Sequence, residues 1–376
     1  MTSLKPNLLL VAYSELALKS PAVRRRLEML LASQVRRKLE RAGFKAGRGW
    51  KEGGRIFLTQ DEAELSAPIA ARVFGVEYVA PAVRVEASLE AMASKVQSLL
   101  EGRVEEGMRF AVRARRIGFH PYTSRDVEAE IGRRLLQAYP NLKVDLENPQ
   151  LTIHVEVRGG NAYLYLDVFR GPGGLPLGSQ GRALAILDGA NAAAACWLAM
   201  RRGLHPILLI PSENQEKLRD TLKLAGRLAS WTPQGSLKTY ILTLSRTRGR
   251  LEEASPELRD LLYEMVKAHA GGSLAERLRV KALILGLNLK RGLEAELALL
   301  KALKGSLRQL VLTPLAALTE AAEAFKVLNL REELEAFPSS PKASRLSEVF
   351  ESLKLWEALM EDLKGLREIR VEAEEA

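Results

Sequence analysis

An α+β N-terminal half followed by an α/β C-terminal half with a parallel sheet is the architecture this 376-residue sequence predicts. Three observations lead there. Short strand and helix signals alternate irregularly up to Phe169, with no simple repeat. The Gly/Pro-rich run GPGGLPLGSQG, Gly171 to Gly181, then interrupts the pattern as a linker. Beyond it, an apolar strand, an alanine-rich helix and a second buried strand read as a βαβ unit, which implies parallel pairing.

Leu8 to Tyr13 is a compact apolar run suited to a buried strand. Ser20-Pro21 then opens a helix with proline at its first position, running to about Arg41. Val23, Leu27, Leu30, Val35 and Leu39 follow helical spacing, which leaves Arg26, Arg37 and Arg41 near one another on another face. Gly43 stops the helix, and Arg55 to Thr59 returns as a strand. Then follow an extended stretch from Val79, a helix Leu89 to Leu100, a strand Arg109 to Ala114 and a helix Ser124 to Ala138. Thr152–Val157 and Ala162–Val168 form a strand pair around Gly159-Gly160.

In the second half, Ala183 to Leu187 reads as a strand, followed by the loop Asp188-Gly189-Ala190-Asn191, a helix ending near Gly203 and a strand Ile207 to Ile210. From Ser255 the signals are mostly helical. Leu283–Leu287 and Leu310–Leu312 are further core strands, and Glu320–Phe325 and Leu346–Leu366 are helices.

The charge is unevenly placed. The net formal charge is +10, and residues 1–180 hold 27 Lys+Arg against 20 Asp+Glu, whereas the rest holds 29 against 26. A basic front half favours a polyanionic partner, because neutralising phosphates releases counterions. The one cysteine, Cys196, excludes an internal disulfide and a paired-thiolate zinc site, and suits a reducing interior. His154 and His205 lack partners at ligand spacing, so no metal site is expected. The short apolar run at the N-terminus carries no leader pattern and is far below the ~20 residues that span a bilayer, so a cytoplasmic protein with no membrane partner is expected.

Three stretches resemble the tRNA 4-thiouridine synthetases. Tyr13-Ser14-Glu15-Leu16-Ala17-Leu18-Lys19 resembles the opening strand of that family's ferredoxin-like domain. Phe110-Ala111-Val112-Arg113-Ala114-Arg115-Arg116, with Ser124, Val144 to Pro149 and His154 to Val157, resembles the THUMP domain, an RNA-binding module. Gly171 to Gly178 is similar to the family's GPGGLPVG linker. The resemblance implies a ferredoxin-like domain over 1–70, a THUMP domain over 71–170, a linker over 171–182, and a PP-loop ATP pyrophosphatase-like domain over 183–376. It also implies tRNA as partner, with ATP and Mg as cofactors wherever the third domain is active.

The family's ATP loop reads SGGIDS. Counting back from Met200-Arg201-Arg202-Gly203, the positions here are Leu187, Asp188, Gly189, Ala190, Asn191 and Ala192, and one glycine matches. Such a loop cradles phosphate with glycine-enabled N–H groups, hydroxyls and a helix N-terminus. Here Asp188 supplies a carboxylate, Leu187 and Ala192 replace the serines, and Asn191 replaces the aspartate. Only Gly286 of Ile284 to Leu289 is reminiscent of the family's TGxxLGQ-like segment, Thr313-Pro314-Leu315 lacks the RPL-type arginine, and the family's C-terminal sulfur-carrying cysteine has no counterpart. No cofactor and no catalytic residue are therefore expected, and weak or no ATP turnover.

Candidate RNA-binding residues come from both front modules. Strand alternation points Arg113 and Arg115 the same way, and with Arg116 phosphate contact is the preferred role, a solvated edge being the alternative. His120 and Tyr122 follow directly and suit stacking on an unpaired base, while an aromatic after a strand is more often packing. Lys19, Arg24, Arg26, Arg37 and Arg41 suit either phosphate contact or a wet helix face. Cys196 lies in a small-residue helix and reads as a buried inert thiol; Glu252-Glu253 read as surface charges.

The expected function is a tRNA-binding, synthetase-like scaffold or partner subunit in tRNA modification, acting with an active paralogue or as a homodimer. The alternative is an active ATP-dependent sulfurtransferase with a divergent loop. A THUMP methyltransferase is disfavoured, since neither a glycine-rich S-adenosylmethionine loop nor an Asn-Pro-Pro-Tyr-like segment is present.

Overall fold

β4 (Tyr78–Glu86) is the strand on which the N-terminal unit is built. In the computed structural model, which describes residues 5–212, 214–288, 292–316, 321–332 and 341–373, its first half pairs with β1 (Leu8–Ala12) and its second half with β8 (Asn161–Tyr165). Around it lie α1 (Pro21–Arg41), β2 (Gly49–Glu52), β3 (Arg55–Thr59), α2 (Ala63–Ala71), α3 (Leu89–Leu99) and β5 (Arg109–Ile117). Then come α4 (Ser124–Ala138), β6 (Lys143–Val144), β7 (Leu151–Arg158) and β9 (Phe169–Arg170). One sheet results, in the order β2-β3-β1-β4-β8-β7-β5-β6, with β9 also on β4.

The local causes are visible in the residues. Gly53 and Gly54, both at positive φ, make the tight β2–β3 turn. Thr123 and Asp126 form a reciprocal capping box that starts α4. In α1 the buried face is Leu27, Leu31, Val35 and Leu39; Val23, expected inside, is exposed and Leu30 only half-buried, because the stripe drifts with the 3.6-residue period. β2 and α2 are among the elements the sequence pattern does not announce. β2 is four residues with alternating half-buried positions, and α2 contains Pro68, which ordinarily argues against a helix.

The chain divides between Gly174 and Leu175 into two compact units. The run expected as a linker is buried over Pro172 to Leu177 and held by backbone hydrogen bonds. Gly173 N–H donates to Val76 O at 2.8 Å, and Leu175 N–H to Arg201 O at 2.9 Å. Gly171 is required there, since a Cβ would lie 2.3 Å from Val76 O.

The second unit alternates strands and helices: β10 (Arg182–Ile186), α5 (Ala190–Arg201), β11 (His205–Ser212), α6 (Gln215–Ala229), β12 (Ser236–Thr243), α7 (Ser245–Leu251), α8 (Pro256–Arg277), β13 (Ala282–Ile284), α9 (Leu293–Ser306) and β14 (Leu310–Leu312). α10 (Ala321–Val327), α11 (Ala343–Ser352), α12 (Leu355–Asp362) and β15 (Arg367–Glu372) complete it. The sheet order is β14-β13-β10-β11-β12-β15, parallel throughout except for β15 against β12. The expected βαβ unit is therefore present.

Several boundaries differ from expectation. Ala190 and Asn191 belong to the first turn of α5 and not to the loop. The strand expected over Leu283–Leu287 ends at Ile284. The helix expected over Leu346–Leu366 is two helices, broken at Lys354, whose φ of 47° is left-handed. Leu289 and Glu320, at the ends of expected segments, lie outside the described residues. Among the described residues no helix is long and apolar enough to cross a membrane.

Candidate nucleotide loop and nucleic-acid interface

In open parallel sheets ligands gather at the carboxyl ends of the strands, and β10 delivers the candidate loop there. Leu187 continues the β10 backbone: its N–H donates to Leu209 O at 2.8 Å, and its side chain is buried. Gly189 caps α5 in extended backbone, so the glycine supplies no special geometry; Asn191 and Ala192 are buried in the first helical turn.

Asp188 is the exception in character. Its carboxylate is ion-paired with Lys267 of α8, which also meets Glu264 at 2.9 Å. Burial pushes the Lys267 ammonium down, but the carboxylates of Asp188 and Glu264 outweigh it and hold the group above its ordinary value, so it stays charged. Asp188 directly precedes Gly189, the N-cap of α5, so a carboxylate stands on the loop that leads into that helix. Beneath the loop is a cavity of about 160 Å³, lined by Ile186, Asp188, Asn191, Ala192, Glu264, Lys267, Leu285, Gly286 and Leu287. Gly286 is needed because a Cβ there would lie 2.6 Å from Ala192 N.

The fit to ATP and Mg follows from these contacts. Two carboxylates and one ammonium leave the cavity with a net negative charge, and Leu187 and Ala192 offer no hydroxyl. In this cavity a pyrophosphate would meet the Asp188 and Glu264 carboxylates and no hydroxyl, so these residues do not fit a phosphate cradle of the family's kind; Lys217, Lys223 and Arg227 line a separate cavity of about 500 Å³ that Gly189 and Ala190 also line. Lys267 was missed in the sequence; its one signal is a lysine inside the otherwise apolar stretch Met265 to Ala268 of α8.

The N-terminal unit presents the basic residues. Arg113 and Arg115 are exposed on one side of β5, with buried Phe110, Ala111 and Val112 preceding them, and Arg113 donates to Leu146 O. Arg116 is half-buried and turns toward Gly118 O at 3.4 Å. His120 sits against Gly159 O at 2.8 Å. Tyr122 corrects an expectation: it is 9% exposed, packs in the cluster with Met92, Val127 and Ile131, and donates its hydroxyl to Ala87 O at 2.6 Å. It is a core residue and has no face to offer a base. Phe119, which sequence reasoning passed over, is 96% exposed beside it.

Lys19, Arg26, Arg37 and Arg41 are all exposed, and Arg24 reaches Glu28 at 3.8 Å. Arg26, Arg37 and Arg41 fall within a ~60° arc of α1 and span roughly 22 Å of its length. β5 stands four strands from β1 in the sheet, so Lys19 and the β5 arginines form separate basic regions.

A ferredoxin-like module continuous with a THUMP-type sheet, followed by a mostly parallel PP-loop-type sheet, defines the class. Family signatures match along the chain in that order: the ThiI ferredoxin-like domain over 8–80, the THUMP domain over 86–167, and thiamine biosynthesis protein (ThiI) over 178–349. The chain is 32% identical to the tRNA sulfurtransferase of Pyrobaculum aerophilum, covering 97% of this chain and 77% of that one. It is 33% identical to a probable tRNA sulfurtransferase of Aeropyrum pernix, covering 90% and 89%. It belongs to the tRNA sulfurtransferase family. Among solved structures, PH1313 from Pyrococcus horikoshii matches at a TM-score of 0.68 with 26% identity over 86% of this chain and all of that one. A 4-thiouridine synthetase in complex with RNA and bound ATP matches at 0.77 over 98% of this chain and all of that one; at 22% identity this likeness concerns the fold.

Proposed function

We propose that this protein grips tRNA through its N-terminal unit and serves 4-thiouridine formation without holding ATP on the loop after β10. The Asp188–Lys267 ion pair carries the reading: the lysine that could have met a phosphate is already neutralised, and a carboxylate stands on the loop just before the α5 N-terminus. The THUMP and ferredoxin-like matches and the exposed Arg113, Arg115, Arg26, Arg37 and Arg41 support the RNA part. In this reading the chain acts as a scaffold or presenting subunit, and an active relative supplies the chemistry.

A second reading is favoured by a specific observation. Relatives named as tRNA sulfurtransferases match over nearly the whole chain, which favours an ordinary ATP-dependent sulfurtransferase working through a divergent loop. Calorimetric titration of the full chain with ATP and magnesium, then with deacylated tRNA at two salt concentrations, separates the two. Salt-sensitive tRNA binding without ATP binding is the expected result. Tight ATP binding, with RNA-dependent pyrophosphate release and thiolation of tRNA by the protein alone, would establish the second reading.

A further inference from the structure

Phe119 stands 96% exposed just past the end of β5, after Gly118, whose φ of 100° turns the chain out of the strand. Strand alternation sets Arg113, Arg115 and Ile117 on one side, at about 6.6 Å intervals along the strand. Two guanidiniums and a partly exposed isoleucine thus share one side of the strand, and an unshielded phenyl ring follows two residues later, past the Gly118 turn. Leu146, also exposed, is tied beside it by the Arg113 hydrogen bond to its carbonyl.

A charged strand edge alone would suit any polyanion, and an exposed ring alone would need no explanation. Their succession within a few residues at one strand end is more selective. Guanidiniums meet phosphates, and a flat aromatic ring beyond them meets a base only where that base is unpaired, since a paired base offers its face to its neighbours in the stack. The two nearby aromatic candidates are otherwise engaged, His120 against Gly159 O and Tyr122 in the core.

Resting on the tRNA-gripping reading, we infer that Phe119 is a stacking platform for an unpaired base of the RNA whose phosphates Arg113 and Arg115 contact. A base–aromatic stack lost to alanine weakens binding by roughly 5- to 100-fold.

The test uses the full chain, as wild type, Phe119→Ala and Phe119→Trp, with deacylated tRNA and with a blunt RNA duplex that has no unpaired nucleotide. Phe119→Ala should bind tRNA roughly 5- to 100-fold more weakly with an unchanged salt slope, and should bind the duplex as wild type does. Phe119→Trp should keep the affinity, and tRNA should quench its added fluorescence. Equal tRNA binding by wild type and Phe119→Ala would overturn the stacking role and leave the tRNA reading intact. Equal losses on tRNA and duplex would also overturn it, since the ring would then not be reading an unpaired base. Wild type failing to bind tRNA at low salt would overturn the tRNA-gripping reading itself, and this inference with it.

Discussion

Lys267 and Asp188, 79 positions apart in sequence, form an ion pair at the carboxyl end of the β10 strand, with the lysine side chain only 5% exposed and the aspartate 30%. The pair is formed on the loop after β10, so the aspartate there is held by a cation from α8. Glu264 completes a triad in which one ammonium serves two carboxylates.

Removing the cation leaves both carboxylates close together and partly buried. Lys267→Met should destabilise the C-terminal unit by about 3 kcal/mol, read by urea unfolding. Asp188→Asn in the same chain should restore part of that loss, because the two residues act as one unit; purely additive effects in the double-mutant cycle would refute the coupling.

A second buried ionic cluster lies in the N-terminal unit. Glu156 of β7 accepts from Arg55 at 3.2 Å, from the Tyr78 hydroxyl at 2.7 Å and from Arg158 Nε at 2.9 Å. Burial pushes its carboxyl up, but the Arg55 and Arg158 guanidiniums outweigh burial and hold it below the usual carboxylate range. A depressed carboxyl stabilises the fold above its unfolded pKa, and that stability is lost as pH falls through the folded value. Glu156→Gln should cost roughly 3–5 kcal/mol at neutral pH by leaving two guanidiniums unpaired. Below the ordinary Glu value of 4.5 the gap between variant and wild type should close, as thermal unfolding across pH would show.

The sequence revealed what depends on local pattern. α1 was found with its first residue because Ser20-Pro21 is a start signal, and β10-α5-β11 because apolar strands flank an alanine-rich helix. What was hidden depends on partners distant in sequence. Lys267 has meaning only beside Asp188, and Tyr122 looked available until the fold buried it between α3 and α4. The Gly171 run looked like a linker because its hydrogen-bond partners, Glu77, Val76 and Arg201, are far along the chain. β15 is exposed and charged at alternate positions, so its pairing with β12 leaves little apolar trace.

Lys38 gives an alkaline prediction of opposite kind. Burial in α1, with Arg72 and Arg41 nearby, pushes its ammonium down to about 8 from the ordinary 10.5. Between those values the unfolded chain holds a proton that the native state has released, so stability rises with pH across that window. Lys38→Met keeps the apolar stem and removes the charge. The methionine variant should exceed wild type below pH 8, by on the order of 3 kcal/mol at most, and the difference should shrink toward pH 10.5. A constant difference across that range in urea unfolding would rule out the buried ammonium as its cause.

The arginines of β5 make a prediction about the form of RNA binding and not only its strength. Arg113 and Arg115 point outward from a strand whose preceding residues are core, so substituting them should leave folding intact. A phosphate contact contributes by releasing a counterion, which fixes how affinity depends on salt. Arg113→Ala and Arg115→Ala should each weaken tRNA binding and lower the slope of log K against log salt by about 1. An arginine that read base edges would lower affinity for some sequences and not others with little change in slope, whereas one on a merely solvated edge would change neither quantity. The slope therefore distinguishes phosphate grip from both rivals, and it does so whether or not the C-terminal loop binds ATP.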